Sequence, residues 1–289
     1  IIFSKLLKKL APDVFISNNG GFPGGVTCWL ASLIGRSIKE TKNNTFLLVH
    51  HAPPDKRGIF YLYTSFLAWL NQHVEIPVIT VSKASKYALE LKTPLKNINV
   101  IYNGLSSEGK KSEPYDFRTK WEIEYNKIII GMIGPIDAHK GHATILDVFH
   151  LSRELKQTAH FVVVGSGSEV LTSELKAKVR ACELEGVVIF TGFMAEDSNA
   201  IIRGFDILAM PTIDFEGFGY SMAEAMLAGI PVVASKVGAI PEIIENGVSG
   251  YLISPDYIQG WRNRFEHQVS NEDERKKIGV SGQVRIAKQ

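Results

Sequence analysis

Short apolar runs alternate with helical patterns along the whole chain. Asp13–Ser17, Phe46–His50 and Pro77–Val81 read as strands, with helices from after Gly25 to about Glu40 and from Ile59 to Val74. A polar, glycine-containing stretch from Asn103 to about Lys111 then reads as a linker. The rhythm restarts after it. Ile128–Ile133, Phe161–Val164, Val187–Phe190, Ile207–Met210 and Pro231–Ala234 read as strands separated by helices, the first helix running from just after Gly141 to about Lys156. Near-continuous apolar strands between helices imply parallel sheets covered on both faces. The expected fold class is therefore α/β, with two Rossmann-like domains, residues 1–105 and 106–289, facing each other across a cleft. An amphipathic helix pattern, Ile1–Leu10, opens the chain at its first residue, so the first domain is expected to be incomplete at its start.

Composition narrows the function classes. A length of 289 residues exceeds one ordinary domain, and 45% hydrophobic with 21% charged residues excludes wholesale disorder. The 32 basic and 30 acidic residues nearly balance, so no general nucleic-acid partner is expected. Cys28 and Cys182 lie far apart in apolar-periodic segments. They exclude a disulfide framework or a cysteine-built zinc site and suit a reducing, cytoplasmic compartment. No run approaches the roughly 18 apolar residues of a membrane span. The opening helix, with Lys5, Lys8 and Lys9, fits an ordinary solvated face; peripheral contact with the inner face of an anionic membrane is its second reading. Gly165-x-Gly167-x-x-Val170 lacks the third small residue of a dinucleotide fingerprint, and no P-loop or nucleophile elbow occurs.

The loops after the second domain's strands carry the chemistry. They are Gly134–Gly141, Gly165–Glu169 and Pro211–Gly219, the last opening a helix with Glu224 in its second turn. Glycines permit close backbone approach, Lys140 supplies charge, and a helix N-terminus adds unpaired N–H groups and a positive dipole end. Together these suit a diphosphate. A helix starting near Gly219 or Tyr220 puts Glu224 about 6 Å along its axis, leaning back over the opening turn where a ribose attached to that diphosphate would lie. Gly20–Gly25, between a strand and a helix, fits an anion nest or a plain turn equally well. His139 and His142 flank Lys140 and are expected to tune local charge.

Glu216–Ala234 resembles the signature of retaining glycosyltransferases of family 4 (glycosyl transferases group 1) with the GT-B fold: two glutamates separated by seven residues, then Glu-Ala-Met-x-x-Gly-x-Pro-Val. The resemblance continues in Gly238–Ile244, Asn246–Leu252, Lys140-Gly141, Val162–Gly167, Ile79–Ser82 and Ile101–Gly104. It implies an enzyme that moves a hexosyl group from a nucleotide-diphosphate donor, UDP- or GDP-linked, to an acceptor hydroxyl. A sugar or lipid-linked acceptor, as in cell-surface polysaccharide or glycolipid synthesis, is implied with it. No further cofactor is.

By the same resemblance Glu224 holds the ribose and Lys140 the diphosphate. Glu216 contacts sugar hydroxyls, and Gly217, Phe218, Gly219, Tyr220 and Ser221 line the phosphate and sugar. Gly165 belongs to the donor loops, and main-chain groups near Met194 lie against the base. A histidine ending a first-domain strand reaches the donor sugar; His50 and His51 are the candidates, and strand alternation favours His50. The chain departs from the family at Pro135, where an arginine is usual. Asp214-Phe215-Glu216 superficially resembles a metal-binding Asp-x-Asp element. With Lys140 and a helix N-terminus already present, transfer is expected to need no metal. The alternatives are an epimerase or phosphorylase of the same fold, or a non-catalytic nucleotide-sugar-binding protein.

Overall fold

The computed structural model describes residues 2–20, 25–39, 41, 44–50, 59–93, 95–105 and 112–288. These fall into two units, Ile1–Gly104 with Phe215–Phe218, and Leu105–Asp214 with Gly219–Gln289.

The first unit runs α1 (Ile2–Leu10), β1 (Phe15–Asn19), α2 (Val26–Ser37), β2 (Thr45–Val49), α3 (Ile59–His73), β3 (Val78–Thr80), α4 (Lys83–Lys92) and β4 (Ile98–Val100). Its strands are parallel, in the order β1-β2-β3-β4. Trp29, Leu47, Val49, Val78, Leu89, Ile98 and Phe215 form its core. On α1, Leu7 is buried and Phe3 packs on Phe15, while Ile2, Leu6 and Leu10 face outward. The strand expected over Asp13–Ser17 lies two residues later. Local propensity disfavours Asn18 and Asn19 in a strand, but pairing with Leu48 and Val49 of β2 holds them there, and Ser17 donates to the Cys28 carbonyl at 2.7 Å. With three residues, β4 is too short for periodicity to reveal.

The second unit begins with α5 (Phe117–Lys120), β5 (Ile128–Ile133), a 3₁₀ turn (Ala138–Lys140), α6 (His142–Leu151), α7 (Arg153–Thr158) and β6 (Ala159–Val164). It continues with α8 (Glu169–Ala181), β7 (Val188–Gly192), α9 (Ser198–Arg203), β8 (Ile207–Met210) and α10 (Tyr220–Leu227). It closes with β9 (Val232–Ser235), α11 (Ile240–Ile243), β10 (Tyr251–Ile253), α12 (Ile258–Ser270) and α13 (Glu272–Ile286). Six parallel strands form one sheet in the order β10-β9-β8-β5-β6-β7. Strands β8 and β9 are wholly buried, as a sheet covered on both faces requires. Phe149, Phe161, Trp261 and Phe265 are among the side chains filling the space under the helices.

Three local features depart from the sequence reading. The helix expected to reach Lys156 breaks at Ser152, whose hydroxyl accepts from the Leu155 N–H at 3.1 Å and donates to Glu266 at 2.7 Å. Strand β9 starts at Val232, not Pro231, since proline has no N–H for the ladder, though its carbonyl accepts from Leu208. Strand β10 is held by side chains rather than length: the Tyr251 hydroxyl bonds Glu274, and the Arg264 guanidinium sits 3.7 Å over the Tyr251 ring. At the amino ends of the central strands β5 and β8, Asp206 accepts from the Ile129 N–H at 2.7 Å and from Arg118 at 2.8 Å, tying α5 to the start of β5. Cys28 and Cys182 are free, half-buried, and packed at the edge of their cores. No described helix is long and apolar enough to cross a membrane.

Candidate functional site

Counted from β5, the strand order of the second unit is 3-2-1-4-5-6: the chain builds β6 and β7 on one side of β5, then crosses to place β8 on the other. The winding reverses between β5 and β8, and in open α/β sheets ligands bind at the carboxyl ends of the strands around such a point. The loop after β5 carries Lys140, and the loop after β8 leads to Gly219.

These two loops are locked together. The Ile213 N–H donates to the His139 carbonyl at 2.8 Å. Gly141, at φ +76°, lies so close that a Cβ there would stand 1.9 Å from the Pro211 carbonyl oxygen. Asp137 caps the turn, accepting from the His139 N–H at 3.2 Å and pairing with the His139 ring at 2.7 Å. Those bonds hold its carboxyl below the usual range. Lys140 is thereby presented, half-buried, at the end of a fixed turn. His142 differs from its expected role. It is only 4% exposed, its Nδ1 has no partner among the described residues, and burial pushes its imidazole down to about 4. At neutral pH it therefore adds no charge beside Lys140.

A second wall comes from β5, β6 and β7, whose pairing continues beyond the strands. Gly134 donates to the Val164 carbonyl, Ile136 to Ser166, and Gly165 to Gly192, each at 2.9 Å. Gly165, at φ +140°, has no room for a side chain, since a Cβ would meet the Gly134 oxygen at 1.9 Å. A cavity of about 410 Å³ opens here, lined by Gly134, Pro135, Gly165, Phe193, Met194 and Ser198 among others. Pro135 therefore lies in the cavity wall, at the position where the family pattern has a cation.

Helix α10 follows the loop that leaves β8 and packs on β8, β9, α9 and α13. Its N-cap is Gly219, which offers no side-chain cap, so the opening amides around Tyr220 and Ser221 depend on partners outside the helix. Tyr220 is exposed and Ser221 half-buried. Glu224, the fifth residue of α10, is half-buried as well. Burial raises its carboxyl above the usual range, the nearby Ser198 hydroxyl acts in the opposite direction, and the Asp197 charge raises it further. Ser198 and Asp197 escaped the sequence reading: their link to Glu224 arises where α9 packs on α10, and no motif connects the two helices.

The remaining candidates fall in the first unit. Phe215 and Phe218 are buried, as is Gly217, and Glu216 between them is half-buried. His50 follows β2; its N–H donates to the Asn19 carbonyl at 3.1 Å and its carbonyl accepts from Ser85 at 3.5 Å. His51, residues 21–24 of the glycine-rich turn and residues 106–111 of the linker lie outside the described residues. The structure thus brings Lys140, Gly165, Met194, Gly219, Tyr220, Ser221 and Glu224 to one edge of one sheet, and groups Glu216, Gly217, Phe218 and His50 with the first unit. Among the described residues, no group of three or more histidine, cysteine or acidic side chains could hold a metal ion.

The sequence pattern of the family described as glycosyl transferases group 1 matches residues 115–285, well over half of the chain. The chain belongs to this family. It is 26% identical over 240 residues to an uncharacterized glycosyltransferase (MJ1607) of Methanocaldococcus jannaschii, covering 78% of the chain and 60% of the relative. It is 25% identical over 253 residues to the amylovoran biosynthesis glycosyltransferase AmsK of Erwinia amylovora, covering 85% of the chain and 58% of the relative. The chain therefore spans about three-fifths of the length of these two relatives. Among solved structures it resembles Anabaena Alr3699/HepE, crystallised with UDP and glucose, with a TM-score of 0.83 and 22% identity over 99% of the chain and 76% of HepE. The fold is that of the GT-B glycosyltransferases.

Proposed function

We propose that this group 1 glycosyltransferase moves a hexosyl group, with retention of anomeric configuration, from a UDP- or GDP-linked donor to a hydroxyl of a sugar or lipid-linked acceptor, without a metal ion. The observation that carries the proposal is the convergence of Lys140, the uncapped start of α10 and Glu224 at the switch point of one sheet. A cation and the positive dipole end of a helix suit a diphosphate, and a carboxylate one turn into the helix suits the ribose diol. The relatedness to a glycosyltransferase of amylovoran biosynthesis, and the UDP in the HepE crystal, support a nucleotide donor and a role in surface-polysaccharide synthesis.

In the proposed reaction the bond between the anomeric carbon and the diphosphate oxygen breaks through an oxocarbenium-like transition state. Lys140 and the α10 amides stabilise the negative charge gathering on the departing diphosphate. The acceptor oxygen bonds to the anomeric carbon on the face being vacated, and its proton passes to the departing phosphate oxygen. Glu216 and His50 are assigned to the donor sugar, Met194 and its neighbours to the base, and Gly217 to Ser221 to phosphate and sugar.

The test is incubation of the full-length protein with UDP- and GDP-sugars and candidate acceptors. Products are read by mass spectrometry, and anomeric configuration by NMR. Transfer with retention is expected, and it should survive exhaustive EDTA. Inversion would refute the stereochemistry; loss on chelation with rescue by Mn²⁺ would make Asp214 and Glu216 metal ligands. Release of free sugar isomers without acceptor would instead identify an epimerase.

A further inference from the structure

Three wholly buried hydroxyls lie in a chain at the carboxyl end of β3, and its last link falls on His50. Thr80, the end of β3, donates to the Ser82 carbonyl at 3.2 Å. Ser82 caps α4 by accepting from the Ser85 N–H at 3.1 Å, and its own hydroxyl donates to Ser85 Oγ at 3.0 Å. Ser85 in turn donates to the His50 carbonyl at 3.5 Å. Strand β2 pairs with β3 no further than Val49 and Thr80, so this carbonyl lies past the end of the ladder. The His50 N–H donates to the Asn19 carbonyl at 3.1 Å. Both main-chain polar groups of His50 are thus held by other elements, one by β1 and one by α4. Stability alone does not call for such a chain. A buried hydroxyl costs stability unless it is bonded, and an apolar side chain of the same shape would fill the space without that demand. What the hydroxyls add is direction, since Ser82 and Ser85 both donate toward His50.

We infer that Ser85 is a positioning residue for sugar transfer: its hydroxyl, oriented by Ser82, fixes the His50 backbone where it leaves β2 and so sets where the imidazole meets the donor sugar. The inference rests on the donor-sugar role proposed for His50. The 3.5 Å contact is long for a bond between two oxygens, and it is the link that closes as the imidazole takes up the sugar, because catalytic contacts tighten in the reacting complex. A displacement of about 1 Å at a reacting centre costs about a hundredfold in rate. Losing the Ser85 anchor while the Asn19 bond remains permits a smaller displacement, and a loss of about tenfold follows.

The test is steady-state transfer by the full-length protein from UDP- and GDP-hexoses, beside calorimetry with UDP and GDP, which carry no sugar for His50 to touch. Ser85→Ala should lower kcat about tenfold while affinity for the free nucleotide stays within about twofold of wild type. Ser85→Thr, which keeps the hydroxyl, should recover most of the loss. Ser85→Cys, close in volume but a weaker donor, should fall between the two and carries the comparison if the alanine variant does not fold. In a His50→Ala background, Ser85→Ala should cost nothing further. Thr93→Ala is the control for a merely structural role. It removes a buried bond of 2.8 Å to the Leu89 carbonyl at the other end of α4, so it should lower the melting point without lowering kcat. If Ser85→Ala and Thr93→Ala lower kcat alike, or the Ser85 and His50 losses simply add, the positioning role is wrong. The same holds if His50→Ala lowers kcat while Ser85→Ala does not. If His50→Ala leaves transfer unchanged, the sugar role of His50 itself falls and takes this inference with it.

Discussion

His142 gives the fold an acid-sensitive point beside the residue proposed to hold the diphosphate. Its imidazole is 4% exposed, its Nδ1 has no partner among the described residues, and burial lowers it from 6.5 to about 4. Between these two values the unfolded chain binds a proton that the folded chain refuses, so stability must fall as pH falls through this window. One pKa unit corresponds to about 1.4 kcal/mol, so this residue should cost about 2 kcal/mol between pH 7 and pH 5, and about 3 kcal/mol by pH 4. His142→Leu keeps a similar volume and removes the titrating nitrogens. It should stay within about 1 kcal/mol of wild type at pH 7, as a swap of similar volume in a packed site, yet lose less than wild type on acidification. Urea unfolding of both proteins at pH 7 and pH 5 measures this. Hydrogen exchange of β5 and α6 peptides, corrected for intrinsic rates, confines the reading to the second unit. Wild type should drop by about 2 kcal/mol more than the variant over that interval. An equal drop in both proteins would mean that His142 takes up its proton in the folded state as readily as in the unfolded one, and the burial argument would fail.

Further outcomes follow from the same geometry. Lys140→Ala should lower kcat about a hundredfold with far less effect on UDP or GDP affinity, since its charge matters most as the diphosphate departs; wild-type turnover would make it a surface lysine. Gly165→Ala should lower stability by about 2–4 kcal/mol in thermal unfolding, because the new Cβ meets the Gly134 carbonyl and the backbone there is left-handed; a melting point within a degree of wild type would contradict that contact. Asp206→Ala should cost about 2–3 kcal/mol by leaving the Ile129 N–H without its acceptor and Arg118 without its carboxylate; in an Arg118→Met background the same substitution should cost less, by the Arg118 share alone, unless the two residues act independently.

Much of this molecule is legible from its amino acids. Ile128–Ile133 and Ile207–Met210 are strands to the residue, because an apolar run flanked by polar turns has one way to bury both faces in a parallel sheet. Gly219 before a helical apolar pattern marks the start of α10, and the position of Glu224 on it follows from helix geometry alone. The family signature lies in contiguous residues for the same reason: a loop, a helix start and a carboxylate one turn later are local objects. What the tertiary structure decided is everything that depends on partners distant in sequence. β1 shifted onto Asn18 and Asn19 because β2 supplied a ladder, and β10 exists through Glu274 and Arg264 on later helices. His142 reads as a second basic residue near Lys140 until burial removes its charge. Ser198 reads as an ordinary serine until α9 packs on α10 and brings it to Glu224. Desolvation and side-chain hydrogen bonding both need a neighbour, and the neighbour is set by how helices and strands pack rather than by the pattern within any one of them.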